Sequence, residues 1–289
     1  MPNKSINLSF MPSFSFRRVW FLLPVLFLII FASCSKYQKL LKSEDVNLKY
    51  EKAIEYYNEG DYHRSLGLMN DIIPAFRGTA QAEQLNYYYA MAHFKQKDYI
   101  LAAHYFKTFT QGFPRSEHAE EFLFMSAYSK YLLSPRPSLD QSETHDAINE
   151  LQSFINRYPQ SERVERANEL IDELREKLEI KAFESAMLYF NIRDYDAAVT
   201  SFQNLMRDYP DTEYREQAMY YILRSHFLFA ENSIAARQLE RYRNVEQAHG
   251  KLVNRFPETN YLESANQMLE TATEKIALLE EATSEQNED

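Results

Sequence analysis

The only cysteine in the chain, Cys34, is the residue best placed for covalent chemistry. It follows the apolar run from Val19 to Ala32, and Arg17 and Arg18 stand directly before that run. A basic start, roughly 7–15 apolar residues and then small residues are typical of a secretory signal, and such a run is short for a membrane span. Because a single cysteine excludes an intramolecular disulfide, its thiol is a candidate for modification after export.

The residues around Cys34 resemble a bacterial lipobox. Phe31-Ala32-Ser33-Cys34 is similar to the signal in which the cysteine is acylated and becomes the first residue of the mature protein, although leucine is usual where Phe31 stands. Two or more acyl chains hold such an N-terminus in a bilayer, since one chain binds only marginally. We therefore expect residues 1–33 to form a lipoprotein signal peptide and residues 34–46 a polar, basic lipid tether. The alternative is an incidental thiol in an ordinary signal peptide.

Histidine, serine and glycine occur in none of the patterns that perform catalysis or bind nucleotides. The seven histidines include no HExxH motif and no cluster with cysteine, and the 5 glycines include no GxGxxG or GxxxxGK[ST] motif. No Gly-x-Ser-x-Gly elbow is present. Paired carboxylates such as Glu120 and Glu121 occupy adjacent helix positions, which point apart. We expect no catalytic residue, no metal site, no cofactor and no nucleotide, and therefore no enzyme.

The charge of the chain excludes nucleic acid as a partner. The formal net charge is −10, and removal of residues 1–33, which carry Lys4, Arg17, Arg18 and no acid, takes it to −13. An acidic surface repels the phosphate backbone, and the sequence holds no basic cluster that would overcome this repulsion.

A four-residue turn of one kind recurs along the chain and sets its organisation. Each copy has an aromatic residue, a proline, a polar residue and a hydroxyl residue, at residues 113–116, 158–161, 209–212 and 256–259. Proline cannot continue the helix before it and the hydroxyl can cap the next one, so each turn ends one helix and starts another. The prolines lie 45, 51 and 47 residues apart, a spacing typical of helical repeats.

Small and bulky apolar residues keep a fixed distance from three of these prolines. An alanine stands twelve residues before each and a bulky residue eight before, namely Ala102 with Phe106, Ala147 with Leu151 and Ala198 with Phe202. Such a pair on one helix face lets two helices approach and interlock. With Asp98-Tyr99 and Asp194-Tyr195 upstream, this register resembles the tetratricopeptide repeat, a helix–turn–helix unit.

The resemblance implies an all-α fold, a right-handed tetratricopeptide-repeat solenoid of about five helix–turn–helix repeats with a C-terminal capping helix. We assign residues 47–258 to the repeats, 259–280 to the capping helix and 281–289 to an acidic, disordered tail. The repeats span, in order, residues 47–78, 80–115, 117–160, 162–211 and 213–258. An irregular helical bundle is the alternative.

The first two repeats are rich in tyrosine, and the resemblance implies a use for these rings. In tetratricopeptide proteins a concave groove is lined by fixed positions of the first helix of each repeat. That register places Tyr50, Tyr57, Tyr87, Met91 and Phe94 in the groove. Tyrosine and methionine suit an extended or weakly structured peptide, because they combine apolar contact with adaptable polar ends. The alternative is that these side chains only pack helix against helix.

The third repeat is interrupted by a loop from Ser134 to Ser142, which contains Pro135, Pro137, Asp140 and Gln141. The two prolines keep this loop out of helix until about Asp140 or Gln141. An inserted loop is not needed for helix stacking, so we expect these four residues to form part of a partner-docking surface. We also expect an insertion in repeat five, at about residues 230–245, whose arginines Arg237, Arg241 and Arg243 would pair with acids of the partner.

The loop and the helix after it resemble one family in particular. SPRPSLDQ followed by AI-x-EL-x-x-F-x-x-x-YP-x-S, here Ala147 to Ser161, looks like the BamD family of outer-membrane assembly lipoproteins, and the resemblance extends from the lipobox to about residue 270. It implies a non-enzymatic component of the outer-membrane β-barrel assembly (BAM) machinery. Its implied partners are the POTRA region of BamA, at the C-terminal repeats, and unfolded outer-membrane protein precursors, at the N-terminal repeats. We expect a lipid anchor at the periplasmic face of the outer membrane, because no acid-rich stretch follows Cys34.

Two other functions remain alternatives. One is a periplasmic tetratricopeptide adaptor for cell-envelope division or peptidoglycan enzymes, although such adaptors often lack a lipobox and commonly add a coiled coil. The other is a surface nutrient-binding lipoprotein. Those proteins are longer and use exposed tryptophan, whereas the single tryptophan here, Trp20, lies in the expected signal peptide.

Overall fold

The computed structural model describes residues 36–288, and all regular elements in that range are helices. A short helical segment at residues 36–41 precedes eleven helices. These are α1 Val46–Asn58, α2 Tyr62–Ile72, α3 Ala82–Lys95, α4 Tyr99–Gly112, α5 Ala119–Leu133, α6 Ser142–Arg157, α7 Val164–Asn191, α8 Tyr195–Asp208, α9 Arg215–Glu231, α10 Ala235–Arg255 and α11 Leu262–Glu288. The all-α prediction is confirmed. The expected signal peptide and Cys34 lie outside the described residues.

Consecutive helices pack against each other within two compact units, which divide between Ser129 and Lys130, inside α5. In the first unit α1 packs on α2, α2 on α3 and α3 on α4. In the second unit the same neighbour-to-neighbour packing runs from α6 to α11. This packing is that of a tetratricopeptide-like helical repeat protein.

The last helix, α11, packs on α10 and α9 and closes the second unit. Its apolar stripe is buried, with Ala265 and Ala272 fully covered and Met268 and Ile276 nearly so. The backbone stays helical to Glu288, through most of the segment where we expected a disordered tail to begin at residue 281. The physical reason is composition, because the glutamates, alanine and glutamine of this segment are good helix formers.

The small and bulky residues of the repeat register form the helix contacts. All six side chains named for this register, the alanines Ala102, Ala147 and Ala198 and the bulky residues Phe106, Leu151 and Phe202, are 0% exposed. Full burial of an alanine beside a large apolar residue allows two helix axes to approach closely.

The four proline turns share one hydrogen-bond pattern. In each turn the aromatic residue donates its N–H to the carbonyl four residues earlier, as Phe113 does to Phe109 at 2.8 Å. The side-chain hydroxyl accepts the N–H two residues later, at 3.1 Å from His118 to Ser116. The backbone carbonyl of the same residue accepts the first N–H of the next helix. The hydroxyl therefore closes the turn three residues before the helix begins, rather than capping the helix as we expected.

The turns within repeats one, two and four carry a second shared geometry. Gly60, Lys97 and Arg193 have φ values of 82°, 63° and 65°, in the left-handed region. The following aspartates, Asp61 and Asp98 among them, donate their N–H to a carbonyl five residues earlier and accept an N–H of the next helix on the side chain. Each turn thus ends one helix in a Schellman motif and caps the next.

The segment at residues 36–41 is folded onto the first repeat, although we expected residues 34–46 to be a tether. The Tyr37 hydroxyl donates to the carbonyl of Arg64 at 3.2 Å, and its ring lies 5.9 Å from that of Tyr56. Leu40 and Leu41 pack against the same core. Tyr37, Leu40 and Leu41 follow helical spacing, which gives the segment an apolar face to bury.

None of the described helices combines the length and the apolar content that crossing a membrane requires.

Candidate peptide-binding groove

The five residues expected in the groove all lie in the first unit, on α1 and α3. Tyr50 and Tyr57 belong to α1, which begins after the cap residue Asp45, and Tyr87, Met91 and Phe94 belong to α3. The two helices contact each other directly. All five side chains are half-buried, so each keeps part of its surface accessible.

Tyr50 links the two helices at the start of the groove. Its hydroxyl donates to the Gln84 side-chain oxygen of α3 at 2.6 Å, and its ring lies 5.2 Å from Phe76. Burial raises the pKa of Tyr50, with a smaller contribution from Tyr88. The phenol therefore stays neutral near neutral pH and keeps its proton for donation.

Tyr57 lies between two other tyrosines. Its ring centroid is 5.5 Å from Tyr62 and 4.8 Å from Tyr88, both in edge-on geometry. Burial raises the pKa of Tyr57 to about 12, with smaller contributions from neighbouring tyrosines, Tyr87 first among them. Tyr88 in turn lies 5.5 Å from Tyr87, so an unbroken row of tyrosine rings crosses from α1 to α3.

Tyr87 continues this row into an open cavity of about 430 Å³ lined by Ala80, Glu83, Gln84, Tyr87, Tyr88 and His118. Its ring stacks on Phe122 at 5.1 Å and lies 4.6 Å from the imidazole of His118. A face-stacked aromatic pair stabilises the packing by about 0.5–1.5 kcal/mol beyond the area it buries. The ring is therefore held in a fixed position while it lines the cavity.

Met91 and Phe94 lie further along α3 and pack against the core of repeat two. Phe94 is 5.6 Å from Tyr99, 6.0 Å from Phe106 and 6.3 Å from Tyr128, measured between ring centroids. Met91 contacts the same cluster. The structure therefore gives all five residues a packing role, as the alternative interpretation held, and leaves each partly accessible.

Four residues of this site were missed from the sequence. Gln84 and Tyr88 lie on α3, outside the positions that the repeat register selects, while Phe122 and His118 come from α5 and the turn before it. The Tyr87-Tyr88-Tyr89 run was a usable signal for Tyr88. His118 carried no such signal, because the conformation of the turn after Pro114 determines its position.

One turn hydroxyl ties the end of repeat two back to the start of the same repeat. Ser116 Oγ donates to Glu83 Oε1 at 2.6 Å, which ties the turn after α4 to the first turn of α3. Thr259 makes the same kind of bond to Glu216 at 2.5 Å in the second unit. Ser116 therefore fixes the turn that carries His118.

In the Ser134–Ser142 loop, the four residues expected to dock a partner differ in exposure. Asp140 is exposed, Pro135 and Pro137 are half-buried, and Gln141 is 4% exposed. Asp140 Oδ1 accepts the N–H of Ser142 at 2.9 Å, and hydrogen bonding to Ser142 lowers the pKa of the Asp140 carboxyl. Among these four side chains, Asp140 is the one that offers a charge to a partner.

Gln141 holds the loop together from the inside. Its side-chain nitrogen donates to the carbonyls of Arg136 at 2.9 Å and Leu139 at 3.0 Å, and its oxygen accepts the Thr144 hydroxyl at 2.7 Å. A buried amide with both ends bonded ties the loop internally, and a docking contact at Gln141 itself stays a prediction.

The extra residues expected in repeat five lengthen its helices and do not form a loop of their own. Residues 230–245 form the end of α9 and the first half of α10, separated by three residues. Arg241 lies 3.6 Å above the ring of Phe229, Arg243 pairs with Glu280 at 2.7 Å and Arg237 lies 3.5 Å from Glu240. These arginines have partners within the chain.

Within residues 36–288, no group of three or more His, Cys, Asp or Glu side chains is arranged to hold a metal ion. Two buried titratable residues, His93 and Tyr89, lie side by side, with ring centroids 4.8 Å apart. His93, 6% exposed, stacks on Tyr105 at 5.0 Å and lies 3.5 Å from Asp98, and its burial lowers the pKa of the imidazole.

Comparison with known proteins gives this repeat fold a family. The chain matches the model of the YfiO family, described as outer membrane lipoprotein, over residues 42–242. A protein of Aquifex aeolicus (strain VF5) named for the outer membrane protein assembly factor BamD is 24% identical over 234 residues, 78% of this chain and 74% of that protein. The outer membrane protein assembly factor BamD of Helicobacter pylori (strain ATCC 700392 / 26695) is 33% identical over 70 residues, 24% of this chain and 32% of that protein. The resemblance to the BamD family is confirmed, and the chain belongs to the YfiO family of outer membrane lipoproteins.

Proposed function

We propose that this protein is a non-enzymatic lipoprotein component of the outer-membrane β-barrel assembly machinery. In this proposal it binds the POTRA region of BamA and unfolded outer-membrane protein precursors, and acylated Cys34 anchors it at the periplasmic face of the outer membrane. Family membership supports a role in outer-membrane assembly. The names of two relatives, both given as outer membrane protein assembly factors, support the same role.

The observation that carries precursor binding is the tyrosine row of the first unit, formed by the rings of Tyr57, Tyr88 and Tyr87. Tyr50 lies beside Phe76 on the same helix as Tyr57. Tyr50, Tyr57 and Tyr87 are half-buried and held by neighbouring rings, and the row ends in the 430 Å³ cavity beside Tyr87. An extended chain would place apolar side chains against these rings and share hydrogen bonds with their hydroxyls and with Gln84. Because the rings are already ordered, binding costs little of their conformational entropy.

The binding energy in this mechanism comes from burial and polar contacts alone. A precursor held in this way dissociates on the timescale that its contacts set, so it can pass on to the membrane-embedded partner without a nucleotide. We assign the docking of BamA to the second unit. There the Ser134–Ser142 loop is held in one conformation by Gln141 and exposes Arg136, Leu139 and Asp140.

Photo-crosslinking tests the groove. We place a photoreactive phenylalanine at position 87 and, as a control, at Tyr189 on α7, a partly exposed tyrosine of the second unit. We expect an unfolded outer-membrane barrel protein to crosslink at position 87 and not at position 189. Equal yields at both positions would remove the groove from the proposal.

Affinity measurements separate packing from binding at the same ring. Tyr87→Phe keeps the stack on Phe122, whereas Tyr87→Ala removes it, and loss of a central aromatic typically costs about 2 kcal/mol of binding or more. We expect Tyr87→Ala to weaken precursor binding at unchanged helicity and Tyr87→Phe to keep most of it. Unchanged affinity in the alanine variant would return the ring to a purely structural role.

Co-purification from detergent-solubilised outer membranes distinguishes the three candidate functions. BamA as the dominant partner supports the assembly role, whereas a division protein or a nutrient transporter in its place supports one of the alternatives.

Asp140→Asn, with Glu162→Gln directly after the next proline turn as the matched control, tests whether the Ser134–Ser142 loop takes part in binding BamA. We expect Asp140→Asn to change the salt dependence of BamA capture, since exposed charges at an interface mainly alter association.

A further inference from the structure

The docked segment at residues 36–41 has a basic face as well as an apolar one. Its apolar side chains pack against the core of repeat one, whereas Lys36, Lys39 and Lys42 are exposed. The three lysines stand three residues apart, so they follow one side of the helical segment, away from the packed side. The groove and the partner-docking loop use none of these side chains.

Packing fixes the direction in which the basic face points. The Tyr37 hydroxyl donates to the carbonyl of Arg64 at 3.2 Å, and the two leucines of the segment lie against the same core. Contacts along one side prevent rotation of the segment about its own axis. Lys42 continues the helical row, because its N–H donates to the carbonyl of Gln38 at 3.3 Å. The three lysines therefore form a preformed row that faces solvent.

The row is a local excess of positive charge on an acidic protein. Residues 35–43 contain these three lysines and no acid, although acids outnumber Lys and Arg 42 to 32 in the whole chain. Among the side chains that the structure describes, residues 36–282, no carboxylate pairs with any of the three ammonium groups. The next two lysines along the chain, Lys49 and Lys52, do pair with carboxylates. The charge of the row is thus available to an external anion.

The position of the row in the chain indicates which anion it meets. Cys34, the proposed site of acylation, stands two residues before Lys36. Two peptide units span at most about 7 Å, and electrostatic attraction extends about 8 Å at physiological ionic strength. Acyl chains on Cys34 would therefore hold the row within reach of phosphate groups at a bilayer surface.

We propose that Lys36, Lys39 and Lys42 bind anionic phospholipid headgroups and so fix the orientation of repeat one on the membrane. This proposal rests on the lipid anchor of the proposed function. A lysine near an anionic bilayer strengthens binding roughly fivefold, so three lysines contribute on the order of a hundredfold. That factor is small for a free protein, but it suffices to orient one that acyl chains already keep at the surface.

The geometry and the residue type of the row favour a lipid surface over a single bound phosphate or a fixed protein site. From Lys36 to Lys42 the helical rise is about 9 Å, so one phosphate cannot contact all three ammonium groups, whereas a bilayer offers many phosphates. All three side chains are lysines, whose compact charge on a flexible stem can follow mobile headgroups. Arginine, which matches a fixed carboxylate with two hydrogen bonds, is absent from residues 35–43.

Trace labelling of lysines in the acylated protein, purified in detergent, tests the proposal. The protein is inserted into preformed vesicles of phosphatidylcholine, either alone or mixed with phosphatidylglycerol as the anionic lipid. Acetic anhydride then acetylates exposed amines, and mass spectrometry gives the initial rate at each lysine. We expect Lys36, Lys39 and Lys42 to react at least threefold more slowly when phosphatidylglycerol is present. Molar salt should remove this difference, because it shortens the electrostatic range to about 3 Å.

Matched variants separate charge from mere proximity to the membrane. Lys39→Gln should reduce the protection of Lys36 and Lys42 at least twofold, whereas Lys39→Arg, which keeps the charge, should preserve it. Lys97→Gln, at an exposed position elsewhere in the first unit, should leave the protection unchanged. In the parent protein, exposed Lys97 and Lys275 should react at equal rates in both kinds of vesicle.

Three outcomes overturn the proposal. The first is an equal rate at Lys36, Lys39 and Lys42 in both kinds of vesicle while the protein floats with both on a density gradient, which would leave the lipid anchor intact. The second is a failure to float with either, which would overturn the anchor and this proposal with it. The third is slowing of Lys97 and Lys275 by the same factor, because the anionic vesicles would then exclude the reagent from the whole protein.

Discussion

Lys97 and Arg193 occupy a backbone conformation that suits glycine better than any other residue. The equivalent turn of repeat one has Gly60, and all three residues have positive φ. A side chain with a Cβ costs roughly 1 kcal/mol in the left-handed region, and glycine is the usual residue at this point of a Schellman motif. The chain thus keeps two charged residues at positions where they destabilise the turn.

We predict that Lys97→Gly and Arg193→Gly each raise the free energy of unfolding by up to about 1 kcal/mol. Urea denaturation followed by circular dichroism measures the change. Lys107→Gly is the matched control, because it places glycine at an exposed position in the middle of α4 and should lower the free energy of unfolding by about 1 kcal/mol. Destabilisation by all three substitutions would contradict the assignment of strain to these turns.

His93 makes the stability of the first unit depend on pH. Its folded-state pKa lies below the ordinary value, because burial between the rings of Tyr89 and Tyr105 outweighs the nearby Asp98. The unfolded chain therefore binds the proton more readily than the folded one. The stabilisation is fully present above the unfolded pKa of about 6.5 and is lost as pH falls through the folded pKa.

We predict that stability against urea decreases as pH is lowered below about 6.5, and that His93→Phe makes this decrease smaller. The measurement is the urea midpoint between pH 7.5 and pH 5. Exposed His63 provides the control, since His63→Gln should leave the pH dependence as in the parent protein. A pH profile that His93→Phe does not change would assign the effect to other groups.

At the scale of elements, the buried amide of Gln141 holds the Ser134–Ser142 loop from inside, while Lys177 and Lys181 of α7 donate to Ser134 and to the carbonyl of Leu139. We predict that Gln141→Ala lowers the free energy of unfolding by about 1–3 kcal/mol, because it removes the hydrogen bonds of a buried amide to Arg136, Leu139 and Thr144. Ser138→Ala, at an exposed position of the same loop, should change stability little. Equal effects of the two substitutions in thermal or urea denaturation would show that Gln141 is not the tie.

A glycine in α2 makes room for the docked segment at residues 36–41. A Cβ added at Gly67 would overlap the hydroxyl of Tyr37, the far end of a flexible side chain. We predict that Gly67→Ala releases this segment, because the added methyl group would overlap Tyr37. The helix α2 should stay folded, because alanine has a higher helix propensity than glycine. Hydrogen exchange should become faster at residues 36–42 and stay unchanged in α1. Undiminished protection of residues 36–42 would show that Leu40 and Leu41 hold the segment without Tyr37.

The features that repeat along the chain could be predicted from the sequence, whereas features that occur once could not. The helix pairs could be predicted because proline, alanine and a bulky residue recur at fixed distances, and each acts through local sterics. The burial of Gln141 could not, because its bonds form only after the loop has closed on Arg136 and Leu139. The continuous helix of α10 was predictable from its alanines, glutamates and arginines, but the extra length of repeat five was interpreted as an insertion.

The same limit applies to the groove. The register identified which helix faces carry Tyr50, Tyr57 and Tyr87, whereas the ring contacts that fix them involve Tyr88, Phe122 and His118. Contacts between repeats depend on how one helix pair packs on the next, and a single sequence does not report this packing.

At the scale of the whole molecule, we predict that Cys34→Ala yields a soluble or signal-retaining form, because the cysteine is the proposed site of acylation. Fractionation of cells into periplasm and outer membrane measures the change, with Ser35→Ala as the control. Lipid labelling of the parent protein and not of the variant should accompany it. A Cys34→Ala variant that still carries acyl chains in the outer membrane would contradict the anchor.

The docked segment at residues 36–41 determines how far the first unit can move from such an anchor. Three peptide units separate Cys34 from Tyr37, and an extended chain covers at most about 3.6 Å per residue. The Cα atoms of the two residues can therefore lie at most roughly 11 Å apart. With so short a connection to the proposed anchor, the first unit and its tyrosine row would stay close to the membrane surface. A precursor bound there would meet its next partner by diffusion along the membrane surface. Its effective concentration near that partner would be higher than with a long, flexible linker.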